Sequence, residues 1–469
     1  MLGIDDGYLR SGGDGGLSDG SGLPPVDSGF VYVDGSFVGD SSLGPTLEPD
    51  GAPVPKGCDP TVTLDSTNGV FVAPSGSDSN ACTETLPCLT VQQGIEQAFN
   101  SSSATPPNVY VQAGTYAEQL TLRPGVEVVG GWDPSWNSLC DQTATIIQGT
   151  ASPTVSDSQT GTATLSTLTV YSQPSQSVSP GETVVGLLAT GASTSVSLRY
   201  VDMKLASGGN GAPGGVGNPG ASPSGPCSPT SAADGGSSLA VGSKGTGADA
   251  GWFNATGPYF VALPGSPGGP GGLGENGGPG GRGSCVACVA DCTGTVLCSS
   301  SDGGQECGSV GTPGCGGGGG LGGAGGNPGG SSVAIIASDA TVTLVSCAID
   351  VGNGGNGGPG GGGGTGASGS PGDAGTSSAV CYTTCDVNLS CEPSGNESGN
   401  GGPAGGQGGS GALGGVGGDG CGGDSVAIVE LGAGRVVQQT GTVIVPGSAG
   451  ASADGGNGAP GVSENLLTP

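Results

Sequence analysis

Glycine returns at every third position over residues 208–220, 265–283, 311–329, 354–375 and 399–423. An unstructured glycine-rich linker has no need of such a register. A period of three is one turn of a polyproline II helix, and glycine at each turn strips one face to bare backbone, so neighbouring helices can meet closely. Collagen does this with three chains. Here the runs are short, separated by loops and often Gly-Gly-X with little proline. That pattern favours an intramolecular bundle over a collagen trimer. The chain needs such a solution, because hydrophobic residues are 33% and aromatics 4% of its 469 residues, too few for one large conventional core.

Between the runs the texture is β. Val184–Ala189 leads through Gly191 to Val196-Ser197-Leu198 and Val201-Asp202-Met203. Val333–Ile336 leads through Asp339 to Val342-Thr343-Leu344 and Ala348–Val351. Val426–Val429 leads through Gly432 to Val436-Val437 and Val443-Ile444-Val445. Thr145–Ile147 and Thr164–Val170 supply an earlier coil. Each unit is about 20 residues, the size of a solenoid repeat. A near-identical phrase follows the coils, GGNGAPG at 208–214, GGNGGPG at 354–360 and GGNGAPG at 455–461. Five coils would stand about 24 Å tall, whereas a straight run over 354–375 extends about 65 Å. The glycine bundle therefore reaches past the coils and is the favoured contact surface. The organisation read from these shifts is a linker or tether (1–57), a cap with first coils (58–207), an insertion (208–331), a coil (332–351), an insertion (352–424), and a final coil with a glycine-rich tail (425–469).

The stretch after Cys58 is a module of its own. Thr61–Leu64, Val70–Val72, Val109–Val111, Leu120–Leu122 and Val126–Val129 read as short strands bounded by turn residues, and Val91, Ile95, Ala98 and Phe99 fall on one face of a short helix. Residues 70–131 resemble the first module of bacterial secreted right-handed parallel β-helix proteins of the pectin-lyase-like class. The residues that carry the likeness are Val72, Pro74, Gly76, Asp78, Pro87, Thr90, Val91, Ala98, Val109, Val111, Gly114, Tyr116, Glu118, Leu120, Gly125, Val126, Val128, Gly130 and Gly131. The resemblance implies an all-β solenoid, a short right-handed parallel β-helix whose open amino-terminal end is capped by the helix. The glycine runs resemble the helices of snow-flea-type antifreeze proteins and the tips of some phage adhesins, and in composition the glycine-rich part of PE-PGRS proteins.

Sixteen cysteines point to an oxidising, extracellular or outer-surface setting. No signal peptide is visible at Met1–Asp6, and no run approaches the length of a transmembrane helix. Cys82 and Cys88 bracket the loop before the helix and are close enough for a small clamp. Cys285, Cys288, Cys292, Cys298, Cys307, Cys381, Cys385 and Cys391 fall in the turns of the insertions. Disulfides there would pin helices that lack an apolar core. The spacing of Cys285, Cys288, Cys292 and Cys298 is too loose for a four-thiolate zinc site to be the better reading.

Chemistry is sparse. With no His and a formal net charge of −30, imidazole-dependent mechanisms are excluded and nucleic acid is disfavoured as a partner. Enzymes of the β-helix class need clustered carboxylates and a base. The candidates are Arg199, Asp202, Asp339 and Asp350, with Lys204 beside them, and solvated polar positions on alternating strands are the favoured explanation of all of them. Trp132 and Trp136 are candidates for a sugar-stacking platform. No cofactor is implied beyond low-affinity calcium on loop carboxylates such as those around Asp419 and Asp424. The reading is a non-catalytic secreted or cell-surface protein, structural or adhesive, with a polysaccharide or surface glycan as partner. The alternatives are a polysaccharide lyase or hydrolase on the same scaffold, and an ice-binding protein.

Overall fold

Short apolar runs closed by turn residues pair in parallel, coil upon coil. The computed structural model describes residues 57, 59–102, 105–173, 178–223, 227, 240–257, 259–287, 305–377, 384–385, 391–392, 399–439, 441–453 and 458–468. All belong to one compact unit, Leu47–Pro469.

The coils are three-faced. The first face stacks Val70–Val72, Val109–Gln112, Glu127–Trp132, Gly161–Ser172, Thr194–Leu205, Thr341–Val345 and Arg435–Gln438 in that order. Gly161–Ser172 and Thr194–Leu205 run on around a bend into the second face, where Gly114–Ala117, Thr145–Gly149, Ala348–Asp350 and Val443–Val445 join them. The third face stacks Leu120–Thr121, Val155–Asp157, Val184–Thr190, Ser332–Ser338, Ser425–Leu431 and Ser463–Leu467. Every pairing between these faces' neighbours is parallel. Leu165, Leu198, Val342, Val170, Met203, Ile349, Leu187, Ile335 and Ile428 form one continuous interior. Thr61–Leu64 is not a strand; Val62 and Leu64 pack on the outside of the first face instead.

The bend between the first two faces is a stacked column. Thr167, Tyr200 and Ser346 hold φ of 55°, 54° and 51°, with Gly131 at 75° and Gly441 at 86°. A left-handed residue turns the chain sharply while leaving the ladders in register on both sides. For the three non-glycine residues this costs of order 1 kcal/mol each, which the flanking parallel ladders sustain.

The helix Val91–Phe99 buries Val91, Ile95 and Ala98 in the solenoid interior with Val70, Val72 and Val109. Its amino terminus is anchored from three directions. Glu118 accepts from the Val91 and Gln92 amides at 2.8 and 2.9 Å, Thr90 caps Gln93, and Asp78 holds Leu89 and Thr90. Carboxylates here also meet the positive end of the helix dipole. Phe99, expected on the buried face, is 37% exposed and lies under the Arg123 guanidinium.

The glycine runs leave the coils after the second face and return at the start of the third. Gly208, Gly211, Gly214, Gly217 and Gly220 donate to the carbonyls of Asn353, Asn356, Pro359, Gly362 and Thr365 at 2.7–2.9 Å. Gly317, Gly320, Gly323 and Gly326 donate to Gly409, Ala412, Gly415 and Gly418, while Gly318, Leu321, Ala324 and Asn327 donate to Ala221, Asn218, Gly215 and Ala212. The run 308–331 also accepts from 265–280 and from 355–370. It is thus bonded to four other runs, and glycine fills its inward positions while Leu321, Ala324 and Asn327 stand where it faces outward. Other runs likewise carry Asn, Pro, Val, Thr or Ser on their outer faces. The recurring Asn of the repeated phrase now has a role: Asn210 Oδ1 accepts from Asn356 N, and Asn356 Oδ1 from Ala451 N, at 2.8 and 2.9 Å.

A serine closes the root of each excursion. Ser332, Ser425 and Ser463 donate from Oγ to Ala206, Gly352 and Gly447 carbonyls at 3.0, 2.9 and 2.7 Å. Farther out, Cys227 and Cys315 form a disulfide between two runs.

A Cβ at Gly320 would collide with the Gly364 carbonyl, whereas one at Gly362 would meet open space. Gly320→Ala should cost about 1–3 kcal/mol and Gly362→Ala less than about 0.5 kcal/mol, read as a clear drop in the thermal midpoint for the first variant alone. Cys227→Ser should cost about 2–4 kcal/mol and speed proteolysis within 208–331, checked by timed digestion with and without reductant.

Candidate functional site

The polar candidates of the coils separate into three places. Arg199 Nε pairs with Asp59 Oδ2 at 2.7 Å on the outside of the first face. Asp59 also accepts from the Thr61 amide and hydroxyl, so this ion pair straps the incoming segment to the coils. Asp339, at φ 55°, sits at the corner between third and first faces, where its Oδ1 accepts from Ala433 N at 2.8 Å. Neither shares a site with the rest.

Asp202 and Asp350 do come together, with Lys204 and Tyr171. Lys204 is in register with Asp350 on one side and Tyr171 on the other, and its Nζ lies 3.4 Å from Asp202 Oδ2. Alternation places these residues on the outer side of the second face, with Val170, Met203 and Ile349 inward. Burial pushes the Asp202 and Asp350 carboxyls up, Lys204 opposes the rise in both, and the Asp202 charge adds to the rise of Asp350. Tyr171 is also pushed up, by burial and then by Asp350. The group holds two acids, one cation and one phenol along a flat sheet. It is a ladder in which one lysine serves two acids, in ion-pair contact with Asp202 and in register with Asp350.

Trp132 and Trp136 are 5% and 7% exposed. They pack with Phe71, Tyr110 and Val129, with Phe71 4.8 Å from Trp136 and Tyr110 5.3 Å from Trp132, both edge to face. Neither ring presents a face that a sugar could stack on. Their work is to seal the first face beneath Val62 and Leu64.

The loop carboxylates are spent on backbone amides. Asp419 Oδ1 accepts from Gly360 N at 2.9 Å and Asp424 Oδ1 from Val462 N at 2.8 Å. Among the described residues no cluster of three or more acidic or cysteine side chains is placed to hold a metal. Cys82 and Cys88 are joined as a disulfide. Cys285 lies opposite Cys307, and Cys385 opposite Cys391, on short hairpins, and Cys140 and Cys307 are each engaged in a disulfide apart from Cys82–Cys88 and Cys227–Cys315. Cys288, Cys292, Cys298 and Cys381 lie outside the described residues. Cys347 is a buried free thiol pushed up to about 11 by burial, and Cys421 is buried and free as well.

One element was not anticipated. The hairpin of Trp252–Phe253 and Phe260–Val261, within the first insertion, folds back onto the outer side of the third face. Phe253 and Phe260 pack on Val185, Val333, Ile336, Val426 and Val429. The signal was present in the strands themselves. VVGLLA, VAIIA and VAIV are continuous apolar runs rather than alternating ones, the mark of a sheet covered on both sides.

The sequence matches no protein-family model and no curated protein. Among solved structures, a rhamnogalacturonan lyase aligns over 32% of this chain and 40% of its own, with 16% identity and a TM-score of 0.22. A likeness at that level carries no argument about activity, and the parallel solenoid rests on the strand pairings above. No helix among the described residues is long and apolar enough to cross a membrane.

Burial pushes the Asp424 carboxyl from 3.8 up to about 6, with Glu464 adding to the rise and the Val462 amide opposing it. A carboxyl whose folded-state pKa exceeds its unfolded value holds its proton more tightly when folded. Its protonation therefore stabilises the fold increasingly as pH falls from about 6 toward 3.8. The slope is at most about 1.4 kcal/mol per pH unit. Asp424→Asn should flatten that part of the curve of thermal midpoint against pH, measured between pH 7 and 4.

Proposed function

We propose that this protein is a non-catalytic structural and adhesive module of an extracellular or outer cell surface, with a polysaccharide or surface glycan as its contact. In this reading the coils are a right-handed β-helix, the helix Val91–Phe99 is its cap, and the glycine runs are a polyproline II-type bundle that projects from it. The observation that carries the proposal is the period-three ladder of backbone bonds between runs. It fixes a broad, stiff surface with side chains set in rows, for example Asn356, Pro359, Thr365 and Ser368 on one run. Disulfides such as Cys227–Cys315 support the oxidising setting.

The polar ladder on the second face supports the enzymatic alternative less well. Its lysine sits 3.4 Å from one of its acids, and the neutralised pair is neither a free base nor a free acid.

Purified oxidised protein should co-sediment with at least one insoluble polysaccharide and release no reducing or unsaturated ends from it, with or without calcium. Product release that disappears in Asp202→Ala or Asp350→Ala would establish the enzymatic reading in place of this one. Neither binding nor product would leave a structural spacer, with thermal hysteresis as the measurement for ice binding.

A further inference from the structure

Of the three tryptophans, two are sealed in the aromatic cluster and the third is presented to solvent. Trp252 is 52% exposed. It stands opposite Val261 across the hairpin, and Leu263, two residues on along the same strand direction, is 68% exposed. Strand alternation puts these three on the outer side of the hairpin, because Phe253 and Phe260 occupy the inner side against the third face.

The platform is braced by packing and by backbone bonds. Its inner side is glued by the two phenylalanines, 5.2 Å apart. Its turn is closed by the Asn254 amide donating to Tyr259 O and by Asn254 Oδ1 accepting from Thr256 N. Its two ends are tied into the glycine bundle through Ala248 N to Asp419 O and Gly265 N to Gly326 O. A rigid, half-exposed indole loses little conformational freedom on binding, and its flat apolar face with a polar N–H edge suits an amphipathic flat partner.

We propose that Trp252, flanked by Val261 and Leu263, is a stacking platform for the apolar face of a pyranose ring in an uncharged polysaccharide. Charge selects the occupant. The chain carries 38 acids against 8 bases, and Asp249 is exposed three residues before the indole. A uronate or sulfated polymer would be repelled, whereas a neutral sugar is indifferent to the field. The proposal rests on the adhesive reading above and names its contact residue and ligand class.

The test uses the intact oxidised protein, Trp252→Ala and Trp252→Phe. Each is co-sedimented with insoluble glucan, mannan and chitin, with polygalacturonate and alginate gels as acidic counterparts, at low and high salt. Soluble neutral oligosaccharides are titrated against tryptophan emission. Wild type should bind a neutral polymer with little salt dependence. Trp252→Ala should weaken that binding about tenfold or more, at an unchanged thermal midpoint, and Trp252→Phe should retain most of it. The emission should shift to the blue in wild type and stay fixed in Trp252→Ala, where only the buried pair emits. Binding by Trp252→Ala equal to wild type would overturn the platform and leave the adhesive reading standing. Binding confined to the acidic gels would overturn the choice of ligand class. No binding by wild type to any polymer would remove the glycan contact altogether.

Discussion

Backbone amides bonded to backbone carbonyls across long sequence separations hold both halves of this molecule. In the coils the bonds form the ordinary parallel ladder. In the insertions they recur once per three residues, and the donors that need a neighbour at contact distance are mostly glycine. A buried N–H without a partner costs about 1–3 kcal/mol, so extended segments lacking side-chain cores are stable only if nearly every inward-pointing amide is matched. The run 308–331 shows the limiting case. It matches amides on several sides, glycine fills its inward positions because a side chain there would separate those partners, and Leu321, Ala324 and Asn327 stand where it faces outward.

Much of the architecture was legible because each half writes its period plainly. The strands at Val184–Thr190, Ser332–Ser338 and Ser425–Leu431 lie where their apolar runs placed them, and the glycine register marked the segments that bond with a period of three. The expected strand at Thr61–Leu64 failed for a tertiary reason. Its valine and leucine are claimed by the aromatic cluster on the first face, and Asp59 is claimed by Arg199. Phe99 sits where the helix faces outward, and the helical period alone cannot say which edge of an apolar stripe the neighbouring strands will cover.

The candidate site was less legible, because contact between coils depends on which residues stack. Asp202 and Asp350 meet because their strands are in register one coil apart, while Asp339 falls on a corner and Arg199 on the other side of a left-handed bend. Composition counts such residues and says nothing about the bends that divide them. The tryptophans illustrate the same limit. The pair at Trp132 and Trp136 had the look of a platform and proved to be a seal, whereas Trp252 gave no local cue. Its position follows only from the continuous apolar strands of the third face, which required a cover and received the hairpin.

That cover also fastens the glycine runs to the coils at a second place. Chain connections alone would act as hinges. Instead, serine hydroxyls close each root, the Ser331 and Asp424 side chains link successive returns, and Phe253 and Phe260 bury against five residues of the third face. Burying two phenylalanine side chains contributes roughly 3–6 kcal/mol, comparable with a disulfide, and at a point distant from the roots in sequence. Two separated attachments resist bending where one would pivot. The same hairpin that fastens the bundle to the coils therefore holds its outward face in a fixed orientation, and an attachment needed for stability leaves a rigid apolar surface as its consequence.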